Sequence, residues 1–182
     1  MKIVPTIVVL ALVQIAVFNI QAAEEEPARL LSEVVTPDKL LPLLPEAPAD
    51  WTAEKPEGTS DDASGVKITS VHRDYEKGTG DKVLTTSISI LDSAANPDYV
   101  EATTAAWKES KSTPEGYSKA LTIDGMPGFE LFENDDKHGK HGALWLIVAK
   151  RYVLQIETQG QDAKDLQDWL KRIDVKKLAA VK

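Results

Sequence analysis

Alternating apolar and polar positions dominate the chain after residue 50 and predict a series of β-strands. The clearest case is 83–91, where Leu84, Ile88 and Ile90 alternate with threonine and serine, which is the period of a half-buried strand. Further strands are predicted at 51–55, 66–76, 117–123, 129–133, 144–148 and 152–158. The polar stretches 59–65 and 134–140 are predicted to be loops.

One of these strands differs from the others because it is apolar at every position. Residues 144–148 read Leu-Trp-Leu-Ile-Val, so neither face of this strand carries polar side chains. A strand of this kind is covered on both faces. The segment is therefore predicted to lie in the centre of a sheet, between two layers.

Two helices are predicted from a period of 3.6 residues. The first begins at the Asn96 cap with Pro97 in the first turn and ends before Pro114. The second spans 162–173, where Leu166, Trp169, Leu170 and Ile173 form an apolar stripe behind a capping box of Asp162 and Asp165. Because the strands come in runs, the pattern predicts an α+β fold, with an antiparallel sheet of six or seven strands and helices on its faces.

The first 50 residues follow a different pattern. Lys2, an apolar run and small residues at Ala22 and Ala23 are typical of a cleaved signal peptide at 1–22, with an uncleaved anchor as the alternative. Residues 23–50 are rich in proline and leucine and form an N-terminal arm. Its leucines either pack on the domain or dock a partner. Residues 51–182 form a single α+β domain.

The order of elements resembles the PsbP-like fold of photosystem accessory proteins and their bacterial envelope relatives. The resemblance rests on Trp51 with the Pro-Glu-Gly turn at 56–58, on the Gly-Met-Pro-Gly turn at 125–128, and on Trp169 with Leu170 in the closing helix. It covers roughly residues 50–175. It implies an accessory or binding role, usually without catalysis, and it assigns no functional residue to this chain.

Charge and composition exclude several classes of function. The net charge of −8 argues against binding to nucleic acid or to an anionic membrane surface, since both would repel the protein. The chain contains no cysteine, which excludes disulfides, thiolate metal sites, a cysteine nucleophile and lipoprotein acylation. We therefore expect a periplasmic or secreted protein with no cofactor and no integral membrane segment after signal cleavage. Its partner would be an unidentified envelope or extracellular protein.

The densest group of possible metal ligands lies in the predicted loop 134–140 and just after it. Asp136, His138 and His141 supply the carboxylate and imidazole groups that Zn²⁺, Ni²⁺ or Cu²⁺ accept. Lys137 and Lys140 place positive charge among these ligands. The segment is either a solvated polar turn or a weak metal site.

No catalytic motif is present in the chain. There is no Gly-x-Ser-x-Gly elbow, and Gly78 and Gly80 indicate a hairpin turn rather than a phosphate loop. His72 and Asp74 share one face of a predicted strand, where a ladder of surface charges is the simplest interpretation. The sequence favours a non-catalytic exported accessory or binding protein. The alternatives are an exported hydrolase built from scattered His, Asp and Glu residues, or weak metal binding through His138 and His141.

The four tryptophans allow two interpretations. Trp51, Trp107, Trp145 and Trp169 all fall on apolar faces of predicted elements. Core packing is typical of such positions. The alternative is that two or three of them line a cleft for an apolar or sugar-like ligand.

Overall fold

Nine antiparallel strands form one sheet in this computed structural model, which describes residues 33–63, 66–80, 83–93, 97–137 and 139–182. The predicted signal peptide and the start of the arm lie outside the described residues. The strands are β1 Thr52–Ala53, β2 Glu57–Ala63, β3 Val66–Lys77, β4 Leu84–Asp92, β5 Lys111–Thr113, β6 Gly116–Ile123, β7 Met126–Asp135, β8 Gly139–Val148 and β9 Tyr152–Gln159. The helices are α1 Pro37–Leu40, α2 Pro97–Ala105, α3 Ala163–Leu170 and α4 Val175–Ala179, with short 3-10 turns at Leu41–Leu43 and Ala106–Lys108.

The sheet runs in the order β1-β3-β4-β9-β8-β7-β6-β5, and β2 pairs with β3 on the same side as β1. This confirms the α+β class and the antiparallel sheet. The predicted number of six or seven strands is wrong, because β2 and β5 were not expected.

The missed strands are polar edge strands. Thr59 and its neighbours in β2 were predicted to be a loop, yet Glu57–Ala63 pairs with β3 from His72 to Val66. The predicted loop 134–140 is also shorter than expected, because β7 and β8 continue until Asp135 pairs with Gly139. In both places the strand is held by backbone hydrogen bonds. Such bonds do not require alternating apolar side chains, so the sequence shows no strand pattern there.

One face of the sheet carries the main core. Alternate residues of β3, β4, β8 and β9 point to this face, and α1, α3 and α4 pack over it. The buried side chains of the sheet in this core are Val71, Tyr75, Ile88, Ile90, Leu144, Leu146, Val148, Tyr152, Leu154 and Ile156. Leu166, Trp169 and Leu170 of α3 cover them, as the apolar stripe of this helix predicted.

The described part of the N-terminal arm belongs to the same core. Leu40, Leu43 and Leu44 are buried there, so these leucines are covered by the chain's own sheet. A buried ion pair fixes the entry of the arm: Arg151 donates to both carboxylate oxygens of Asp92, at 2.9 and 2.7 Å. The backbone N–H of Val35 donates to the same carboxylate at 2.8 Å.

The opposite face of the sheet is only partly covered among the described residues. Trp107, next to α2, packs on Ile147 and Val153 in a second, smaller cluster. Leu144, Leu146 and Val148 point into the main core, while Ala143 and Ile147 are buried on the opposite face and Trp145 is half-buried there. Most of β8 is therefore covered on both faces, as predicted for 144–148. No helix in the described ranges is long and apolar enough to cross a bilayer.

Candidate functional site

A buried carboxylate stands out at the boundary of the main core. Glu130 lies in the middle of β7, opposite Lys119 on β6 and Leu144 on β8. The alternation along β7 turns it toward the helix-covered face, and it is 3% exposed. Asp92 is also buried, but its carboxylate holds the arm in place. Glu130 instead faces a cleft.

Three side chains from two elements donate hydrogen bonds to Glu130. The Tyr117 hydroxyl donates to Oε1 at 2.6 Å, and the Gln167 amide of α3 donates to Oε2 at 2.6 Å. The Lys119 ammonium lies 3.0 Å from Oε1 and 4.5 Å from the centre of the Tyr117 ring. A buried charge is stable only when it is paired and hydrogen-bonded, and these contacts supply both.

The network fixes the protonation state of its members. Burial alone would raise the pKa of Glu130, but the hydrogen bonds from Tyr117, Gln167 and Lys119 outweigh it and hold the pKa below its usual value. Burial raises the pKa of the Tyr117 phenol, and its hydrogen bond to Glu130 raises it further. At neutral pH the site therefore contains a carboxylate anion and a neutral phenol.

The cleft runs along β6, beside α3, and has a volume of about 380 Å³. It is lined by Tyr117, Lys119, Leu121, Ile123, Glu130, Ala163, Lys164 and Gln167. One end is polar and holds the Glu130 network. The other end is apolar, with Leu121 and Ile123 from β6.

A glycine shapes the floor of the cleft at its apolar end. Gly128 of β7 lies opposite Leu121, and a Cβ atom on Gly128 would sit 2.9 Å from Leu121 Cδ1 and 2.7 Å from the Trp145 carbonyl oxygen. Any larger residue would therefore push Leu121 away from the sheet. Because position 128 is glycine, the Leu121 side chain packs directly against β7.

The lining groups suit binding better than catalysis. Glu130 is ionised and its oxygens already accept three donors, so it has no proton to donate as a general acid. The two lysines of the lining are paired with carboxylates, Lys119 with Glu130 and Lys164 with Asp165, and the Tyr117 hydroxyl donates to Glu130. What the arrangement offers is an apolar wall ending at preorganised polar groups, the usual composition of a ligand site.

A larger hollow of about 430 Å³ lies at the end of the sheet formed by β5, β6 and β7. Of its charged lining residues, Lys111, Glu115 and Glu133 are exposed and Asp135 is half-buried. It lacks the buried and hydrogen-bonded polar group found in the Glu130 cleft. We therefore place the candidate site at Glu130.

Two of the three residues of the predicted metal site, Asp136 and His141, are described in the structure. Asp136 is exposed in the turn, and His141 is half-buried on β8, opposite Glu133. His138 lies outside the described residues. Among the described residues, no group of three or more His, Cys, Asp or Glu side chains could hold a metal ion. The weak metal site stays a prediction.

The residues considered for catalysis lie elsewhere on the sheet. His72 is exposed on β3, opposite Ser89 of β4, on the face away from the Glu130 cleft. Asp74 follows it on the same face and is half-buried. His72 is not among the residues that line the Glu130 cleft or the larger hollow at β5, β6 and β7.

Most of the tryptophan surface is used in packing. Trp107 and Trp169 are buried in the two clusters, while Trp51 and Trp145 are half-buried at their margins. Trp51 meets Trp169 edge to face, with ring centres 5.0 Å apart. These two rings line a small hollow of about 160 Å³, and neither reaches the Glu130 cleft.

Glu130 was not singled out in the sequence. The available signal was a single acid, Glu130, within the otherwise apolar segment Phe129 to Phe132. Which face of β7 is covered by helices cannot be read from that run alone. The partners Tyr117 and Gln167 come from elements far apart in the chain.

Comparison with family models, curated proteins and solved structures finds no match to the chain.

Proposed function

We propose that this chain is an exported, non-catalytic binding protein whose binding site is the cleft between β6 and α3. The carrying observation is the convergence of Tyr117, Lys119 and Gln167 on the buried Glu130 at the end of an apolar cleft. These contacts hold the polar groups rigid and leave none of them chemically activated. A ligand would pack against Leu121 and Ile123 and meet the ammonium groups of Lys119 and Lys164 at the rim.

Export and the PsbP-like relationship belong to the same proposal. Export is supported by the signal-like pattern of residues 1–22. The PsbP-like relationship is supported by the run of strands before and after α2 and by the closing helix α3 on the sheet. An accessory role in the cell envelope fits both.

The cleft can be tested with anilinonaphthalene sulfonate, an amphipathic anion that fluoresces in apolar sites. We expect its NMR titration to shift the amides of Leu121, Ile123 and Gln167. Ala163→Phe adds an aromatic ring to the cleft wall and should weaken binding by tenfold or more. Ala105→Phe makes the same change at an exposed position of α2, and it should leave binding unchanged.

Two results would contradict the proposal. One is that the probe binds Ala163→Phe as tightly as the wild type, which would place its site outside the cleft. The other is turnover of a substrate, from a panel of esters, peptides and glycosides, that disappears in Glu130→Gln. Circular dichroism of each variant establishes that the fold is retained.

A further inference from the structure

The outer edge of β6 is paired along only part of its length in the described structure. β5 is three residues long, and its pairs end at Ser118 opposite Lys111. Residues 119–123 of β6 pair with β7 on the inner side, and none of the described strands pairs with them on the outer side. This free segment runs alongside the cleft, since Lys119, Leu121 and Ile123 also line it.

The hydrogen bonds between β6 and β7 show which backbone groups this edge presents. The Asn134 N–H donates to the Glu115 carbonyl at 2.7 Å, just before the first pair of the β6–β7 ladder. Along an antiparallel strand, every second residue directs its backbone N–H and C=O at one neighbouring strand, and the residues between direct theirs to the other side. Residues 117, 119, 121 and 123 therefore direct their backbone groups at β7. Ala120 and Thr122 direct theirs outward, and both residues are exposed.

The side chains beside this edge favour a particular occupant. A strand added to β6 would place alternate side chains opposite Ile123, Leu121 and Lys119, on the cleft side of the sheet. The first two positions suit apolar side chains. The position opposite Lys119 suits a carboxylate. The Lys119 ammonium has three N–H donors, and one of them is used for Glu130 in the described contacts.

We propose that residues 119–123 bind an extended segment of a partner protein by β-augmentation, and this rests on the proposed function of the cleft. The segment pairs antiparallel with β6 and carries the pattern apolar-x-apolar-x-acidic. Its backbone bonds to Ala120 and Thr122 provide affinity, and the three alternate side chains provide specificity.

The same pattern argues against a second copy of this chain as the occupant. In a symmetric antiparallel pair centred on Leu121, the Lys119 of each copy lies opposite the Ile123 of the other. Each ammonium would then face an apolar side chain and find no carboxylate. A partner that supplies an acid at that position is the better match.

A fluorescein-labelled peptide, Thr-Val-Thr-Leu-Thr-Glu-Thr, tests the proposal by fluorescence anisotropy with the full-length protein. Thr122→Pro removes the outward N–H of residue 122 and leaves the hydrogen bonds between β6 and β7 intact. Proline is tolerated in edge strands. We expect this variant to fold and to bind the peptide about tenfold more weakly, whereas Thr122→Ala, which keeps the N–H, binds normally.

Amide hydrogen exchange provides an internal control within the same strand. In the free protein the amides of Ala120 and Thr122 should exchange quickly, and the peptide should slow both. The Leu121 amide is bonded to β7 and should exchange slowly in either state. A peptide N-methylated at the two threonines that face Ala120 and Thr122 should not bind.

The proposed ion pair between Lys119 and the peptide glutamate is tested separately. Replacing the peptide glutamate by lysine should weaken binding about tenfold with wild-type protein and have little effect with Lys119→Met. Equal affinity of the wild type for both peptides would overturn the proposed pattern.

The two proposals fail in different ways. If the peptide does not bind while anilinonaphthalene sulfonate still binds the cleft, β-augmentation is wrong and the binding function stands. If neither binds, both are wrong. A wild-type dimer in light scattering that Thr122→Pro dissociates would overturn the proposal in favour of a second copy.

Discussion

Replacing Arg151 by methionine should destabilise the protein strongly. The guanidinium makes two bonds to Asp92, whose side chain is fully buried, and a third of 2.8 Å to the Glu33 carbonyl. Methionine keeps most of the aliphatic length but removes the charge. The Asp92 carboxylate would then stay in the interior with its cationic partner gone.

The magnitude follows from the burial of the pair. Removing one partner of a buried ion pair costs about 3–5 kcal/mol. The Arg151 side chain is 19% exposed, so water can replace part of the lost interaction, and we expect the lower end, about 3 kcal/mol. For a chain of this size each kcal/mol lowers Tm by roughly 2–4 °C, which gives a decrease of roughly 6–12 °C.

Urea unfolding and thermal melts of four variants test this reasoning. Lys150→Met, at the exposed neighbouring position, should change stability by less than about 0.5 kcal/mol. Arg151→Met combined with Asp92→Leu replaces both charges and should recover much of the loss, whereas Asp92→Leu alone should not. Hydrogen exchange should accelerate at the Val35 amide in Arg151→Met, because this N–H donates to Asp92.

Two results would refute the reasoning. One is a loss of less than about 1 kcal/mol in Arg151→Met, since a buried and uncompensated carboxylate costs more. The other is a double variant as unstable as the single one. Either would mean that the arm is held mainly by the packing of its leucines.

Two further predictions concern ionisable groups. Glu130→Gln should cost about 2 kcal/mol at neutral pH. Because the folded pKa of Glu130 is lowered, its contribution is present above the unfolded value of about 4.3 and is lost as the pH falls through the folded pKa. The urea midpoints of variant and wild type should therefore converge in acid, and a constant difference would contradict this. Burial raises the pKa of Tyr75 to about 12, and its hydroxyl donates to the Pro45 carbonyl at 2.7 Å. Its contribution is present below the unfolded value of about 10 and is lost as the pH rises toward the folded value. Tyr75→Phe should cost about 1 kcal/mol at pH 7 and show a smaller alkaline loss of stability, and an unchanged alkaline profile would argue against it.

The elements that bury apolar side chains could be predicted from the sequence. The strand predicted at 83–91 is β4, Leu84–Asp92, and the helix predicted at 162–173 contains α3, Ala163–Leu170. The Asp162 N–H donates to the Asp165 carboxylate, which is one half of the predicted capping box. These features are visible because burial imposes a period on the side chains.

Elements held by backbone pairing could not be predicted in this way. β2 contains Gly58, two aspartates and no large apolar residue, and it is a strand because it pairs with β3. The candidate site has the same origin. Glu130, Tyr117 and Gln167 come together through the register of β6 and β7 and the position of α3, none of which follows from a local pattern.

The pairing of β4 with β9 has a consequence for how the protein folds. Strands β5 to β9 follow one another as hairpins, and so do β3 and β4, so each group can form from contacts between near neighbours in sequence. Among the described strands, the two groups are joined by the ladder between β4 and β9, which runs from Thr85 opposite Gln159 to Asp92 opposite Tyr152. Closing that long loop costs chain entropy before any contact offsets it. We expect this junction to form last during folding, so that the rate of folding depends on how quickly two preformed meanders find each other.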